Sequence, residues 1–170
     1  MPDTWDIIID DMIRKMRPDP KRQIRRDGMD ILVKYIEKDL MPIVSAHEGE
    51  WIDLRSAETI ELNAGECKRI RLGVAMQLPP GYEAIVAPRS STFDKWGIIF
   101  LNSVGIIDNL YCGDSDEWHV PIMAFKKTKI HKNDRICQFR IVKSQPKVNL
   151  VTVDILGNEN RGGFGSTGVK

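Results

Sequence analysis

Most of the chain from Met29 onward consists of short stretches in which apolar and polar residues alternate. The alternation begins at Ile31, Val33 and Tyr35 and recurs in the runs 58–62, 67–78, 82–87, 98–101, 119–125, 134–142 and 147–155. Turn sequences rich in Asn, Asp, Gly and Pro separate many of these runs, at 63–65, 79–81, 114–116 and 132–134. Alternation with a period of two is typical of half-buried strands. Many short strands at this spacing predict an antiparallel β sandwich or barrel.

The first residues follow the period of an amphipathic helix. Its apolar positions are Trp5, Ile8, Ile9, Met12, Ile13 and Met16. Asp3 or Thr4 can cap the helix and Pro18 ends it, which predicts a helix over 4–17. Nothing local covers its apolar face, so we expect it to dock on the β domain or on a neighbouring subunit; binding of a protein partner is the alternative. The basic stretch 18–28 is interpreted as a solvated linker rather than a nucleic-acid arm.

The end of the chain, 157–170, is rich in glycine and can bury little apolar surface. We expect this arm to be mobile until a ligand binds. Its GFGSTG sequence has the spacing of the dinucleotide-binding fingerprint, but no strand precedes it and no helix follows it, so that interpretation is rejected. The sequence therefore predicts three parts: an N-terminal helix and linker (1–28), a β domain (29–156) and a flexible C-terminal arm (157–170).

Composition narrows the function classes. The chain has 170 residues, of which 42% are hydrophobic, and its formal charge is +1, so no overall field favours a nucleic acid or a membrane surface. Three cysteines form no CxxC pair and three histidines form no metal-ligand pattern, which argues against a disulfide framework and against a metal held by protein ligands. A reducing, cytoplasmic setting is expected. No signal peptide or membrane-spanning apolar run is recognised.

Candidate chemistry is concentrated in VGIIDNLYCG, 104–113. Asp108 ends what is interpreted as a buried strand, and Tyr111 follows three residues later. A carboxylate at a strand end beside an aromatic ring is a plausible base next to a flat ligand. The alternative is an Asp turn followed by a core tyrosine, and this stretch alone favours that alternative.

Four other segments carry polar groups suited to phosphates or to their support. Arg89 with Ser90 and Ser91 offers a fork of donors beside two hydroxyl groups, and Arg161 lies in the glycine-rich arm. The remaining two segments contribute Asp53, Asp134, Arg135 and Gln138. Each segment taken singly is more often structural than functional.

In this order the five segments closely resemble the motifs of the homotrimeric deoxyuridine triphosphate nucleotidohydrolases, the dUTPases. GIIDNLYCGD and PRSS are the most specific of them, and the resemblance covers roughly residues 29–170. It implies a jelly-roll-like β fold that assembles as a threefold trimer. It also implies active sites at subunit boundaries, with the C-terminal arm crossing to a neighbour.

The activity implied by the resemblance is attack of water on the α-phosphorus of dUTP, giving dUMP and pyrophosphate, which limits uracil in DNA. Asp108 matches the carboxylate that deprotonates the water, and Tyr111 matches the ring that packs on the deoxyribose and excludes a 2′-hydroxyl. The residues that match the uracil-reading region are Asn102, Gly105, Ile106 and Ile107. Those that match the phosphate-holding groups are Arg89, Ser90, Ser91 and Gln138. Asp53, as a partner for arginine, and Asp134 are interpreted as structural support. The resemblance also implies Mg²⁺ that is held by substrate phosphates and water.

Three departures from the family pattern stand out. Asn133 replaces a usual glycine, and asparagine tolerates the left-handed backbone that the turn needs. DSDEW, 114–118, looks inserted in the uracil hairpin. The fifth motif usually reads R-G-x-x-G-F-G, but here Arg161 and Phe164 are separated by three positions instead of five.

The shorter fifth motif changes what the arm can reach. A fully extended chain covers at most ~3.6 Å per residue, so the reach from Arg161 to Phe164 falls from roughly 18 Å in the usual motif to roughly 11 Å here. Phe164 is therefore expected to cover the sugar or phosphates rather than uracil. We predict Arg161, Gly165 and Ser166 on phosphate. Trp118 or His119 then helps at the base, unless Trp118 is simply a core residue.

Two other functions stay open at this point. A dCTP deaminase shares the fold and would also use a triphosphate with Mg²⁺. A dUTPase-like regulatory protein, binding a protein partner through the helix 4–17, is the alternative from another class.

Overall fold

A computed structural model describes residues 28–44, 51–160 and 162, and almost all of the regular elements in this part of the chain are strands. In chain order the elements are β1 Leu32–Tyr35, β2 Ile52–Arg55, β3 Ile60–Leu62, β4 Cys67–Arg71, β5 Val74–Gln77, β6 Tyr82–Pro88, α1 Thr92–Trp96, β7 Ile98–Phe100, β8 Gly105–Ile107, β9 His119–Ala124, β10 Thr128–Ile130 and β11 Arg135–Lys143. The predicted all-β class is confirmed. The predicted helix 4–17 lies outside the described residues. Within them, no helix is long and apolar enough to cross a membrane.

All of the strand pairs are antiparallel. The largest sheet has the order β2-β11-β6-β8, and a second sheet has the order β4-β9-β7. Two further pairs, β1 with β5 and β3 with β10, complete the fold. At the centre of the largest sheet, Gln138 lies opposite Asp53 on one side and Ala87 on the other. This register brings together segments that are far apart in sequence.

The core lies against one face of the largest sheet. On β11, Cys137 and Phe139 are buried, whereas the alternating Gln138 and Arg140 are only half-buried. Burial of each large apolar side chain contributes about 1.5–3 kcal/mol. The opposite face of this sheet therefore carries the polar residues, and Asp53 and Gln138 lie there.

The predicted strand 67–78 is two strands, β4 and β5, separated at Leu72 and Gly73. Gly73 has φ +69°, and a Cβ there would come within 2.9 Å of the Ala57 Cβ. A side chain at this position would be strained in both backbone and space, so the glycine fixes the break between the strands.

The predicted strand over 147–155 is wrong for the single chain. No strand forms there among the described residues, and Leu150, Val151 and Ile155 are 94%, 78% and 82% exposed. A strand needs hydrogen-bonding neighbours, and none of the strands in 28–44 and 51–160 pairs with the segment. The segment 147–155 has the alternation of a strand, but the described part of one chain contains no strand that pairs with it.

Candidate active site

Arg89, Ser90, Ser91, Gln138 and Asp53 lie together at one end of the largest sheet and are called the phosphate-side cluster below. The Arg89 Nε lies 2.7 Å from the Asp53 Oδ1, and its Nη1 donates to the Arg135 carbonyl at 3.3 Å. Arg135 Nη1 lies 3.1 Å from the other oxygen of Asp53. Gln138 Nε2 donates to the Pro88 carbonyl at 3.2 Å. Asp53 thus lies between two arginines, and Arg89 keeps donors that face outward.

Thr92 is a supporting residue that the sequence analysis missed. It is completely buried, accepts a hydrogen bond from the Arg89 N–H at 2.9 Å, and donates to the Ile136 carbonyl at 2.9 Å. It therefore ties the PRSS turn to β11. A threonine directly after a PRSS turn was the available signal, since hydroxyl side chains often bond backbone groups in turns.

Asp134 and Asn133 shape the turn that leads into β11. Asp134 accepts from the His131 N–H at 2.8 Å, and its carbonyl accepts from the Ser56 N–H at 2.9 Å. Asn133 has φ +73°, which confirms the left-handed backbone expected for this substitution of glycine. Its Oδ1 also accepts from the Met41 N–H at 2.7 Å. Both side chains therefore stabilise local structure.

A cavity of about 220 Å³ adjoins the phosphate-side cluster and is lined by Arg55, Arg89, Lys95 and Arg135 among others. Burial, together with the positive charges of Arg135 and Arg89, lowers the pKa of Arg55. The positive charges of Arg135 and Arg89 would be offset by a bound anion, whereas the Asp53 and Asp134 carboxylates act in the opposite direction and raise the pKa of Arg55. This end of the site is electrostatically suited to phosphate.

The second group of predicted residues, called the base-side cluster below, consists of Asn102, Gly105, Ile106, Ile107, Asp108 and Tyr111. Asp108 Oδ1 accepts from the Leu110 N–H at 2.7 Å and from the Tyr111 N–H at 3.2 Å. Its Oδ2 makes no hydrogen bond within the described part of the chain. The turn therefore fixes one carboxylate oxygen and leaves the other exposed beside Tyr111, which is 43% exposed.

The strand that precedes Asp108 is not buried, contrary to the sequence-based expectation. Ile106 is 58% exposed. The physical reason is that β8 is an edge strand, which pairs with β6 alone among the described strands. Its outer edge and one of its faces are open.

The two clusters lie far apart in one chain. Ala84 pairs with Ile107, so Asp108, the next position, comes opposite Glu83. Arg89 follows Glu83 by six positions (89 − 83) on the line of β6. At about 3.3 Å per residue, the Asp108 and Arg89 backbones are separated by about 20 Å.

The prediction that Trp118 contacts the base is wrong. Trp118 is 1% exposed and packs edge-on against Phe139, with ring centroids 5.5 Å apart and an interplanar angle of 87°. The backbone N–H of Trp118 donates to the Val74 carbonyl, and its backbone carbonyl accepts from the Leu72 N–H. These backbone bonds join it to the ends of β4 and β5 and turn the ring into the core. His119, the next residue, is exposed.

The remaining predicted site residues, Arg161, Phe164, Gly165 and Ser166, lie outside the described residues, and their roles stay predictions. Within the part of the chain that is described, no group of three His, Cys, Asp or Glu side chains could hold a metal ion.

Solved structures with a similar fold define the class of protein. A mutant of the Staphylococcus bacteriophage 80alpha dUTPase with dUpNHpp matches with a TM-score of 0.67 and 24% identity, covering 82% of this chain and 99% of that one. A mutant DUTPase from phage phi11 of S. aureus, whose structure concerns coordination of a structural Mg(II) ion, matches with a TM-score of 0.66 and 20% identity over 75% and 98%. The jelly-roll-like fold class is confirmed.

Sequence comparison gives the family. The dUTPase family model matches residues 47–168. The chain is 53% identical to the SPbeta prophage-derived deoxyuridine 5'-triphosphate nucleotidohydrolase YosS of Bacillus subtilis, covering 84% of this chain and all of that one. It is 35% identical to the deoxyuridine 5'-triphosphate nucleotidohydrolase of Crocosphaera subtropica, over 81% and 97%. The chain therefore belongs to the dUTPase family, as the motifs indicated.

Proposed function

We propose that this protein hydrolyses dUTP to dUMP and pyrophosphate. The observation that carries the proposal is the Asp108–Tyr111 turn, in a chain that belongs to the dUTPase family. The turn presents a carboxylate with one oxygen fixed and one exposed, directly beside an exposed phenol ring. That arrangement suits a base acting on a water molecule next to a sugar.

In the proposed reaction, Asp108 accepts the proton of a water molecule whose oxygen attacks the α-phosphorus. The bond from the α-phosphorus to the bridging oxygen breaks, and pyrophosphate leaves. Because the Leu110 and Tyr111 N–H groups hold Oδ1, the Oδ2 atom is the proton acceptor. A base fixed in this way costs little reorganisation when the proton transfers.

The base-side cluster reads uracil and deoxyribose. Asn102 and the backbone of Gly105, Ile106 and Ile107 are exposed or half-exposed on the edge hairpin, where backbone donors and acceptors can face the base. A site that pairs every polar edge of uracil rejects cytosine strongly, since the wrong base leaves buried groups unpaired. Tyr111 packs against the sugar and leaves no room for a 2′-hydroxyl.

The phosphate-side cluster binds the triphosphate through Arg89, Ser90, Ser91 and Gln138. Mg²⁺, when bound, neutralises phosphate charge and favours departure of pyrophosphate. Phosphate oxygens and water, rather than Asp53, would hold the ion, because both oxygens of that carboxylate already pair with arginines. Arg161, Gly165 and Ser166 add donors from the C-terminal arm, while Phe164 covers the sugar or phosphates.

The active protein is a homotrimer in this proposal. The Asp108 and Arg89 backbones of one chain are about 20 Å apart along the sheet, and this separation favours a site that takes the two residues from different copies. The exposed apolar segment 147–156 supports the same assembly, because it alternates as a strand but pairs with no strand in the described part of its own chain. A neighbouring subunit provides a surface for it and for the arm that follows.

We place the protein in the cytoplasm, since all three cysteines are free and two of them are exposed. A protein partner for the helix 4–17 is retained as a separate proposal. It is tested by capture experiments with and without residues 1–28.

Pyrophosphate release from dUTP, dCTP, dTTP and UTP with Mg²⁺ tests the proposed function. We expect release from dUTP alone at an appreciable rate. Ammonia released from dCTP would indicate the deaminase instead, and nucleotide binding without either product would indicate a regulatory protein. The dUTPase family match favours neither alternative.

A further inference from the structure

Glu117 lies at the centre of a set of contacts that reaches Tyr111, although nothing in the motif pattern gives it a role. Its carbonyl accepts a hydrogen bond from the Tyr111 hydroxyl at 3.1 Å. Its carboxylate accepts from the Gly73 N–H at 2.9 Å through one oxygen and from the Arg71 Nε at 3.0 Å through the other. The Glu117 side chain is only 11% exposed.

These contacts fix the position of the Glu117 carbonyl. The carboxylate is anchored to the break between β4 and β5, where Gly73 has a backbone that only glycine adopts easily. The next residue, Trp118, is bonded to Val74 and buried in the core. The hydrogen bond with Glu117 raises the pKa of Arg71, which is consistent with a persistent ion pair. The Glu117 carbonyl is therefore fixed by its own carboxylate on one side and by the buried Trp118 on the other, which makes it a rigid hydrogen-bond acceptor.

Tyr111 is therefore held at two ends. Its N–H bonds to the Asp108 carboxylate at 3.2 Å, and its hydroxyl bonds to the Glu117 carbonyl. Tyr111 as a whole is 43% exposed, so packing alone does not immobilise its ring. Without the bond at the hydroxyl, the exposed ring would be free to change rotamer.

We propose that Glu117 is a positioning residue for sugar discrimination: its anchored carbonyl holds the Tyr111 ring in the place where it excludes a ribose 2′-hydroxyl. The inference rests on the proposed function, in which Tyr111 packs against deoxyribose. It gives the inserted segment 114–118 a role, namely to bring Glu117 back beside the tyrosine that precedes it. Tight turn bonds within the insertion support this, with the Gly113 N–H donating to Asp116 at 2.6 Å and the Asp116 N–H donating to the Gly113 carbonyl at 3.0 Å.

The test compares kcat/KM for dUTP with kcat/KM for UTP in full-length Tyr111→Phe, Glu117→Ala and Glu117→Gln. Loss of one hydrogen bond that positions the ring should lower the dUTP-to-UTP ratio about fivefold in Tyr111→Phe and Glu117→Ala. Glu117→Gln retains an oxygen that can accept from Gly73, so its ratio should fall between that of Glu117→Ala and the unmodified protein. The double variant Tyr111→Phe/Glu117→Ala should lose no more selectivity than Tyr111→Phe, because both changes act through one bond.

Glu58→Gln is the matched control. The Glu58 carboxylate accepts from the Arg71 backbone N–H at 3.3 Å, but it makes no contact with Tyr111. Its variant should keep the dUTP-to-UTP ratio. An unchanged dUTP-to-UTP ratio in Tyr111→Phe overturns the inference. This variant does not alter the Glu117 anchor, so it still provides a test if the Glu117 variants fail to fold. Loss of thermal stability in Glu117→Ala with an unchanged ratio also overturns it, because that result describes a structural role only.

Calorimetric binding of dUMP against UMP measures the same discrimination without turnover. If the unmodified protein prefers dUMP and the variants lose that preference, the inference stands even when no dUTP is hydrolysed. If dUTP is hydrolysed but the preference is unchanged in the variants, the inference fails and the proposed function survives.

Discussion

Mixed trimers of two inactive variants provide a test of the separation between the two clusters. Asp108→Asn removes the base and Arg89→Ala removes a phosphate ligand, and each should lower kcat about 100-fold or more while the chain still folds. Asp53 keeps Arg135 as a partner at 3.1 Å in the second variant, so the sheet end should remain intact. Each variant alone is expected to be nearly inactive.

The expected gain on mixing follows from geometry. In the proposed trimer each site takes Asp108 and Arg89 from two neighbouring copies, because the two backbones are about 20 Å apart in one chain. Around a closed ring of three, any trimer that contains both variants has one position where an intact Asp108 meets an intact Arg89. Mixed trimers should therefore regain about one third of the full activity, whichever variant is in excess.

The assay uses coexpression of the two variants with different affinity tags. Trimers that carry both tags are purified, and pyrophosphate release from dUTP is measured. A matched control pairs Asp108→Asn with Tyr111→Ala. In the proposed trimer, Asp108 and Tyr111 of a given site come from the same chain. No site in this mixture would have both residues intact, so no activity should be regained. Absence of regain in the Asp108/Arg89 mixture, with both tags present in folded trimers, would refute the shared-site geometry.

The remaining predictions concern the arm, the core and the N-terminal region. Deleting 158–170 should abolish most turnover, because closure of the arm excludes water and adds the charge of Arg161; single-turnover kinetics that match the full chain would contradict this. Phe164→Ala should cost much less kcat/KM than Arg161→Ala, and a non-hydrolysable dUTP complex with Phe164 stacked on uracil would disprove it. Trp118→Ala should destabilise the fold by about 3 kcal/mol or more in urea unfolding, since its ring is 1% exposed, and a loss under about 1 kcal/mol would be inconsistent with a core role. Deleting 1–28 should lower the melting temperature more than kcat, and no change in either would favour an outside partner for that segment.

Local chemistry was the most predictable part of the site. An Asp turn at Asp108 was the alternative to a base beside a flat ligand, and the structure has the Asp108 carboxylate accepting from the Tyr111 N–H. Asn133 was expected to adopt a left-handed backbone, and it has φ +73°. Both features depend on one residue type and its immediate neighbours, which a single sequence contains.

Trp118 was mispredicted because its neighbours in sequence are polar. The segment 114–118 looked inserted in the uracil hairpin, so Trp118 was placed near the base, with a core position as the alternative. Backbone bonds to Val74 and Leu72 turn the ring inward, and those bonds depend on the break between β4 and β5. Side-chain direction in an irregular segment is set by tertiary contacts, which periodicity does not report.

The network around Asp53 could be suspected from the motifs but not located. Asp53, Arg89 and Arg135 come from β2, the end of β6 and the start of β11, and they meet because of the pairing of those strands. The segment 147–155 shows the converse case. Its alternation predicted a strand, but the pattern cannot say whether the pairing partner belongs to the same chain.

The decisive measurement is pyrophosphate release from dUTP, dCTP, dTTP and UTP, each supplied separately with Mg²⁺, by the unmodified protein and by Asp108→Asn. We expect rapid release from dUTP alone, and a loss of about 100-fold or more in the variant, with dUTP still bound. Comparable release from dCTP or UTP, or near-normal turnover by Asp108→Asn, would refute the proposed function.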